Sequence, residues 1–263
     1  MKADSVQGNR TSDLRALGSA GDGLRGPLME SRCVILDIGG VLEITPPTGW
    51  LHQWDERLGL PLGSVDRRLD DVWQAGAVGT ITATQVRSQV GARLSLDAMQ
   101  VESFMSDLWE EYLGTPNVEL IEYVRGLRSR CRLGILSNSF VGARELETAM
   151  YQFDELVEQI LYSHEIGVCK PDRQAFDMTC ARLEVRPADC LFIDDYDVNI
   201  EAARAAGLQA HLFEGNEQTI ARIAALLDSA TSLDTSHGAF SESVPVRPVP
   251  ASEQDGRNRF RSQ

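Results

Sequence analysis

Residues 33–41, CVILDIGGV, form an apolar run that stops at Asp37 and then turns at two glycines. A second apolar run, CLFIDD at residues 190–195, stops at Asp194 and Asp195 in the same way. In an open α/β sheet the carboxyl ends of the strands line the ligand crevice, so these three carboxylates are expected to converge. Carboxylates beside buried strands need a compensating charge, and a divalent cation with oxygen ligands supplies it. The two segments therefore predict a metal site suited to phosphate chemistry.

Two further motifs lie between these runs. Residues 132–138, RLGILSN, are typical of a strand that ends in two hydrogen-bonding side chains, Ser137 and Asn138, just before a predicted helix. Lys170 follows another short strand-like run at residues 160–162 and precedes a Pro-Asp pair. The chain thus presents, in order, an aspartate, a Ser-Asn pair, a lysine and an Asp-Asp pair.

In this order of motifs the chain resembles the haloacid dehalogenase superfamily over roughly residues 31–228. Members carry a nucleophilic aspartate in motif I, a Ser or Thr in motif II, a lysine in motif III and metal-binding acids in motif IV. Residues 194–207, DDYDVNIEAARAAG, resemble motif IV and the helix after it. The chain is most similar to subfamily IA members with a C1 cap. This branch contains glucose-1-phosphate phosphatase and the phosphatase domain of soluble epoxide hydrolase.

The resemblance implies a role for each motif. Asp37 is expected to be the nucleophile that forms an aspartyl-phosphate intermediate, and Lys170 is expected to neutralise the phosphoryl oxygens. The expected phosphate-binding residues are Ser137, Asn138 and Lys170. Taken singly, these residues also fit plainer roles: a turn-capping aspartate, a helix-capping Ser-Asn pair and a solvated surface lysine.

The resemblance also implies Mg²⁺ as the cofactor, held by the carboxylates of Asp37, Asp194 and Asp195 and by the backbone carbonyl of Gly39. Hard oxygen donors suit this ion, which keeps waters and phosphate beside few protein ligands. An acid pair at a helix N-terminus is also favoured by the helix dipole, a role that is compatible with metal binding. Asn199, in the same stretch, is expected to orient the motif IV loop.

Position 39 departs from the pattern of the superfamily. Most of its phosphatases carry a second aspartate two residues after the nucleophile, which protonates the leaving oxygen and later activates water. Here the residue is Gly39, which cannot transfer a proton. Losing a general acid-base group typically lowers the rate about 10²- to 10⁴-fold. Three functions therefore stay open: a phosphatase, a weakly active or non-catalytic ligand-binding or regulatory protein of the same fold, and a dehalogenase.

The hydrophobic pattern predicts an α/β fold, a Rossmann-like three-layer sandwich with a parallel sheet, because strands alternate with helices. Residues 31–44 and 115–228 form this predicted core. Residues 45–114 form a predicted α-helical C1 cap, in which four amphipathic helices follow the first strand. Later strands are predicted at residues 132–136, 159–162, 190–194 and 209–213, and helices at 142–150, 173–183, 198–206 and 217–227.

The ends and the composition limit the function further. Residues 1–30 and 229–263 are predicted to be disordered extensions, because neither offers a periodic apolar face. A formal net charge of −14 argues against nucleic-acid binding. No stretch is long and apolar enough for a membrane span, and no signal peptide is expected. The five cysteines include no CxxC pair and suit reduced thiols, so the expected location is the cytoplasm.

The favoured function is a Mg²⁺-dependent phosphatase that acts on a small phosphorylated metabolite, as a monomer or homodimer. The cap helices are expected to determine the substrate, which their sequence does not identify. Two histidines are further candidates: His164 as a substitute acid-base group and His52 as a substrate contact in the cap. Their plainer roles are a structural hydrogen bond for His164 and packing within the cap for His52.

Overall fold

Strand β1 (Cys33–Leu36) lies at the centre of a five-stranded parallel sheet in the computed structural model, which describes residues 32–45 and 47–231. The other strands are β2 (Glu43–Ile44), β3 (Thr115–Pro116), β4 (Arg132–Ser137), β5 (Gln159–Tyr162), β6 (Cys190–Asp194) and β7 (Gln209–Leu212). Their order in the sheet is β5-β4-β1-β6-β7, whereas β2 and β3 form a separate antiparallel ribbon. The central strand therefore has β4 on one side and β6 on the other.

Helices connect the strands. Between β2 and β3 the chain forms α1 (Trp50–Arg57), α2 (Ser64–Ala77), α3 (Ala83–Leu94) and α4 (Ala98–Tyr112). The later helices are α5 (Val118–Arg125), α6 (Ala143–Tyr151), α7 (Ser163–Ile166), α8 (Arg173–Arg182), α9 (Asp197–Ala205) and α10 (Asn216–Thr231). Within the described residues, no helix combines the length and the apolar character needed to cross a membrane.

The two faces of the sheet bury separate apolar clusters. Along β1, Val34 and Leu36 join a cluster with α5 and α10, whereas Cys33 and Ile35 join a second cluster with α8 and α9. Strand β6 divides its side chains between the two clusters in the same way. Because successive side chains of a strand point to opposite faces, this alternation builds three layers. The predicted α/β fold with a Rossmann-like parallel sheet is confirmed.

The structure differs from the predicted elements at the connections. The sequence does not predict the ribbon of β2 and β3, because two-residue strands are too short to show a period. Helix α10 continues to Thr231, so the start of the predicted tail at residue 229 is wrong. No glycine or proline interrupts residues 216–231. The predicted extension at residues 1–30 lies outside the described residues, as does the remainder of the tail from residue 232.

Helices α1 to α4 pack around an aromatic cluster of their own. The ring centroids of Trp50 and Trp54 lie 5.0 Å and 5.1 Å from that of Phe104, and Trp73 stacks on the same ring at 6.3 Å. Phe140, from the loop after β4, joins this cluster and is 0% exposed. The four helices are present where the cap is predicted, while the division of the chain into core and cap domains stays a prediction.

A buried acidic side chain caps α2 from the neighbouring helix. Gly63 precedes α2 and offers no capping side chain. Asp55 of α1, 2% exposed, accepts hydrogen bonds from Gly63 N at 2.6 Å and from Val65 N at 2.8 Å. It supplies the acceptor that the first N–H groups of a helix lack. Asp55 thereby ties α1 to the beginning of α2.

Replacing Asp55 with alanine should lower the free energy of unfolding by about 2 kcal/mol, because two N–H groups lose their acceptor. Urea denaturation followed by circular dichroism measures the change. Asp55→Asn, which keeps one oxygen, should lose less. The control is Glu110→Ala on the exposed surface of α4. An equal loss in the control would contradict the capping role.

Candidate active site

Asp37 and Asp194 lie side by side where two neighbouring strands end. Leu36 of β1 pairs with Ile193 of β6, and Asp37 N donates a hydrogen bond to Ile193 O at 2.9 Å. Asp195 follows in the chain. Each of the three aspartates offers a carboxylate oxygen, and these oxygens lie within 4.8 Å of one another. The structure therefore brings together the acids of the two motifs that the sequence singles out.

Lys170 lies between two of these carboxylates. Its Nζ is 2.9 Å from Asp37 Oδ1 and 2.7 Å from Asp194 Oδ2. The side chain is 0% exposed, and Nζ lies 5.4 Å from the ring centroid of Phe192. A buried ammonium group needs negative charge close by, because burial removes its hydration. The two aspartates supply that charge.

The buried charges shift one another's pKa values. Burial raises the pKa of Asp37 from 3.8 to about 8; Lys170 acts in the opposite direction, while Asp194 and Asp195 reinforce the rise. Burial alone would lower the pKa of Lys170, but the charges of Asp194 and Asp37 outweigh it and raise that pKa. Three carboxylates and one ammonium leave a formal surplus of two negative charges. A proton or a cation relieves this surplus.

Two asparagines hold the charged groups in place. Asn138 Nδ2 donates to Lys170 O at 2.8 Å, and Lys170 N donates to Asn138 Oδ1 at 2.7 Å. Asn199 Nδ2 donates to both oxygens of Asp194, at 3.1 Å and 3.2 Å, and Tyr196 N donates to Asp194 Oδ1 at 2.8 Å. Asn199 therefore holds the carboxylate of Asp194, and its wider role in orienting the motif IV loop stays a prediction. The carboxamide of Asn138 positions Lys170, and its role as a phosphate donor stays a prediction.

The adjacent glycines after β1 differ in their surroundings. A Cβ at Gly40 would lie 2.1 Å from Asp195 Oδ2, and the φ of +74° is one that favours glycine. Any side chain at Gly40 would displace the Asp195 carboxylate. Gly39 is buried, and its backbone forms a bridge with Glu43, which is 0% exposed. Gly40 thus meets a steric requirement, whereas Gly39 stands at the position where most phosphatases of the superfamily carry a second aspartate.

Three other sequence candidates have distinct environments. Ser137, 1% exposed, ends β4 beside β1, and its Oγ lies 3.4 Å from Asn138 O. His164 Nδ1 is 2.6 Å from Ser139 Oγ, which is the kind of structural hydrogen bond predicted as its plainer role. Burial lowers the pKa of His164.

The side chain of His52 is 53% exposed, so its predicted packing role in the cap is wrong. Two residues beyond Trp50 along a helix, His52 points away from the face that Trp50 buries.

The sequence does not predict two features of the site. The first is the clearance that Gly40 gives Asp195, for which the only signal is a pair of glycines directly after a buried strand. The second is the exchange of hydrogen bonds between Asn138 and Lys170, which are 32 residues apart in the chain. Side chain–backbone bonds between separate loops leave no periodic trace in a sequence.

Comparison with known proteins identifies relatives of this chain. A family model described as haloacid dehalogenase-like hydrolase matches residues 32–207. Mouse acyl-CoA dehydrogenase family member 10 is 25% identical over 241 residues, which cover 87% of this chain and 22% of that protein. A phosphatase of Mycobacterium tuberculosis is 29% identical over 222 residues, which cover 77% of this chain and 99% of that protein. The chain therefore spans about a fifth of the mouse relative and nearly all of the bacterial one.

A solved structure shows the same fold. It is a haloacid dehalogenase-family enzyme of Bacteroides thetaiotaomicron in complex with magnesium and inorganic phosphate. The two chains are 18% identical and superpose with a TM-score of 0.58, over 69% of this chain and 93% of the other. At this identity the likeness concerns the fold.

The raised pKa of Asp37 predicts how stability depends on pH in metal-free protein. A carboxyl with a higher pKa in the folded state holds its proton more tightly there. Its contribution to stability is full below the unfolded pKa of 3.8 and is lost as the pH rises toward about 8. The difference in free energy of unfolding between wild type and Asp37→Asn should fall across this window, by up to about 1.4 kcal/mol per pH unit. Urea denaturation in a chelator at a series of pH values measures it.

Asp71 provides a control of opposite sign. Its hydrogen bond with Arg93 lowers its pKa, so its contribution to stability is present above 3.8 and is lost as the pH falls. The difference between wild type and Asp71→Asn should stay constant between pH 5 and pH 8. A difference for Asp37→Asn that is equally constant would show that the pKa of Asp37 is not raised.

Proposed function

Because the chain belongs to the haloacid dehalogenase-like hydrolase family, we propose that it is a magnesium-dependent phosphatase that acts on a small phosphorylated metabolite. The observation that carries the proposal is the buried cluster in which Lys170 bridges Asp37 and Asp194 beside Asp195. Two relatives support it. The Mycobacterium tuberculosis protein is named a phosphatase, and the Bacteroides thetaiotaomicron enzyme was solved with magnesium and inorganic phosphate.

The residues present fit a magnesium ion. Asp37, Asp194 and Asp195 offer oxygens within 4.8 Å of one another, and Mg²⁺ prefers such ligands. The carbonyl of Gly39 completes the proposed ligand set, and the missing side chain of Gly40 leaves room for Asp195. The surplus of two negative charges corresponds to one divalent cation. When bound, the ion supplies positive charge that stabilises the transferring phosphoryl group.

Asp37 is the proposed nucleophile. Its carboxylate attacks the phosphorus of a phosphate monoester, the bond between phosphorus and the leaving oxygen breaks, and that oxygen takes a proton from water. A second water then attacks the phosphorus of phospho-Asp37, and the bond between phosphorus and the Asp37 oxygen breaks, which releases inorganic phosphate and restores the carboxylate. The proton that this water loses neutralises the hydroxide left by the first water. Lys170, 2.9 Å away, favours the ionised form of Asp37 that the first step needs.

The remaining proposed contacts surround the transferring group. Lys170 places a positive charge beside Asp37, where it neutralises phosphoryl oxygens in the transition state. Ser137, at the end of the strand next to β1, donates its hydroxyl to the phosphate. Asn138 contributes in two ways in this proposal, as a phosphate donor and through the position of Lys170.

Helices α1 to α4 form the proposed cap. They are inserted in the chain between β2 and β3, the two strands of the ribbon that follows Asp37. Their aromatic cluster includes Phe140, which lies two residues after Asn138. A cap attached so close to the site excludes water from the phosphoryl group and contacts the rest of the substrate. A cap of this kind is consistent with the proposal that the substrate is a small metabolite.

One observation favours a second candidate function. Gly39 leaves no side-chain acid two residues after Asp37, and such a group is worth about 10²- to 10⁴-fold in rate. A protein with the same fold that binds a phosphorylated ligand without turning it over would keep Lys170 and the three aspartates. Turnover separates this binding protein from the phosphatase.

A panel of phosphorylated metabolites, tested with and without Mg²⁺, should reveal phosphate release that depends on the ion. Asp37→Asn should abolish that release, because an amide is a poor nucleophile. The matched control is Asp55→Asn, at an aspartate that is also 2% exposed but caps α2. It should retain turnover at a temperature where it is folded.

Two results would contradict the proposal. Wild-type protein that binds phosphorylated compounds but releases no phosphate from any of them would favour the binding function. Retention of more than about a few per cent of wild-type turnover by Asp37→Asn would exclude Asp37 as the nucleophile, since covalent catalysis depends on it.

The absence of an acid at position 39 predicts a steep dependence on the leaving group. Anomeric, acyl and aryl phosphates, whose leaving oxygens need little protonation, should react faster than alkyl phosphates, and phospho-Asp37 should hydrolyse slowly and give a burst of product. Gly39→Asp should raise turnover most for poor leaving groups. Rates against leaving-group pKa measure this. A flat dependence in both proteins would mean that another group supplies the proton, with His164, the candidate substitute acid-base group, the first to replace.

A further inference from the structure

The carboxyl end of α2 docks on the loops that carry Asn138 and Lys170. The carbonyl of Ala77 accepts a hydrogen bond from Ser163 Oγ at 2.7 Å and a weaker one from Cys169 Sγ at 3.8 Å. The carbonyl of Gly76 accepts from Val141 N at 3.2 Å. One end of one helix therefore contacts the loop after β4, the beginning of α7 and the residue before Lys170.

Two glycines allow this approach. A Cβ at Gly76 would lie 2.0 Å from Phe140 Cε2, and a Cβ at Gly79 would lie 1.9 Å from His164 O. Real Cβ atoms do not come so close to other heavy atoms, so residues with side chains would force the helix away from the loops. The end of α2 is thus fitted to these loops at the distance of backbone contact.

Ser163 connects this junction to the site. Its Oγ donates to Ala77 O and also accepts from Ser139 N at 2.8 Å. Ser139 follows Asn138, whose carboxamide exchanges two hydrogen bonds with the backbone of Lys170. Lys170 in turn holds Asp37 through its Nζ. One buried hydroxyl therefore lies between the cap helix and the groups proposed to react.

We propose that Ser163 is a positioning residue for the phosphoryl transfer. Its hydroxyl fixes the loop of residues 137–140 against α2, and this loop, through Asn138, sets the position of Lys170. The inference rests on the proposed phosphatase function, because it concerns how well Lys170 serves that reaction.

Removal of the hydroxyl has a defined physical effect. In Ser163→Ala the N–H of Ser139 and the carbonyl of Ala77 lose their shared partner in a buried place, which costs free energy until the loop shifts. A shift of the loop moves Asn138 and Lys170. The charge of Lys170 acts mainly when phosphoryl oxygens gain charge in the transition state, so kcat should fall more than KM rises.

The test compares Ser163→Ala with Thr179→Val. Thr179 is also buried, at 0% exposure, and its Oγ1 donates to a backbone carbonyl, Ala175 O, at 2.8 Å within α8. Each variant removes one buried hydroxyl. With p-nitrophenyl phosphate and saturating Mg²⁺, Ser163→Ala should lose about tenfold in kcat with KM within about twofold of wild type. Thr179→Val should keep the wild-type kcat.

Three outcomes would overturn the inference. A wild-type kcat in Ser163→Ala would do so while leaving the phosphatase function intact. An equal loss of kcat in Thr179→Val would attribute the effect to a general loss of packing. A wild type that hydrolyses no phosphate ester would overturn the function and the inference together.

Ser163→Cys covers the case in which the alanine variant does not fold. Its thiol fills the space and is a weaker donor and acceptor than a hydroxyl. The expected kcat lies between those of wild type and a protein without the hydrogen bonds. A wild-type kcat in Ser163→Cys would overturn the inference.

Discussion

The buried ammonium of Lys170 is the constraint on which the rest of the site depends. A fully buried positive charge requires negative partners at contact distance, and Asp37 and Asp194 provide them at 2.9 Å and 2.7 Å. Those two aspartates end adjacent parallel strands, so the requirement of one lysine is met only when β1 and β6 pair in their observed register. Charge compensation and sheet topology therefore specify the same arrangement.

The loop after β4 couples two parts of the molecule that are separate in sequence. Asn138 holds the backbone of Lys170, and Phe140, two residues later, is buried among the aromatic rings of α1, α2 and α4. A change in the packing of those helices therefore reaches Asn138 through a very short piece of backbone. The absence of a Cβ at Gly76 lets the Phe140 ring sit against α2 at this point. Stability of the helical layer and geometry of the site are thus linked by the same few residues.

The sequence predicts what depends on strand period and strand ends. The alternation of Cys33 to Leu36 places side chains on both faces of β1, and the acids that end β1 and β6 meet because parallel strands finish at one edge. It does not predict partners that loops bring together, such as Ser139 and His164, which are 25 residues apart. The exposure of His52 can be predicted from the sequence. On a helix whose buried face carries Trp50, a residue two positions later points elsewhere.

The two adjacent glycines after Asp37 differ in kind: one meets a steric requirement and the other a chemical one. At Gly40 a side chain would occupy the space of the Asp195 carboxylate, so glycine is needed there whatever reaction the site performs. Gly39 affects the chemistry instead, because a glycine at this position has no side chain that could donate a proton. The structure still contains Lys170 and the three carboxylates that could hold a cation. In the proposed mechanism the side chain missing at position 39 is not needed to bind a phosphate group, whereas protonation of the leaving oxygen and activation of water would use one. The proposed phosphatase should therefore favour substrates whose leaving group departs without a proton, because Gly39 offers no side chain that could supply one.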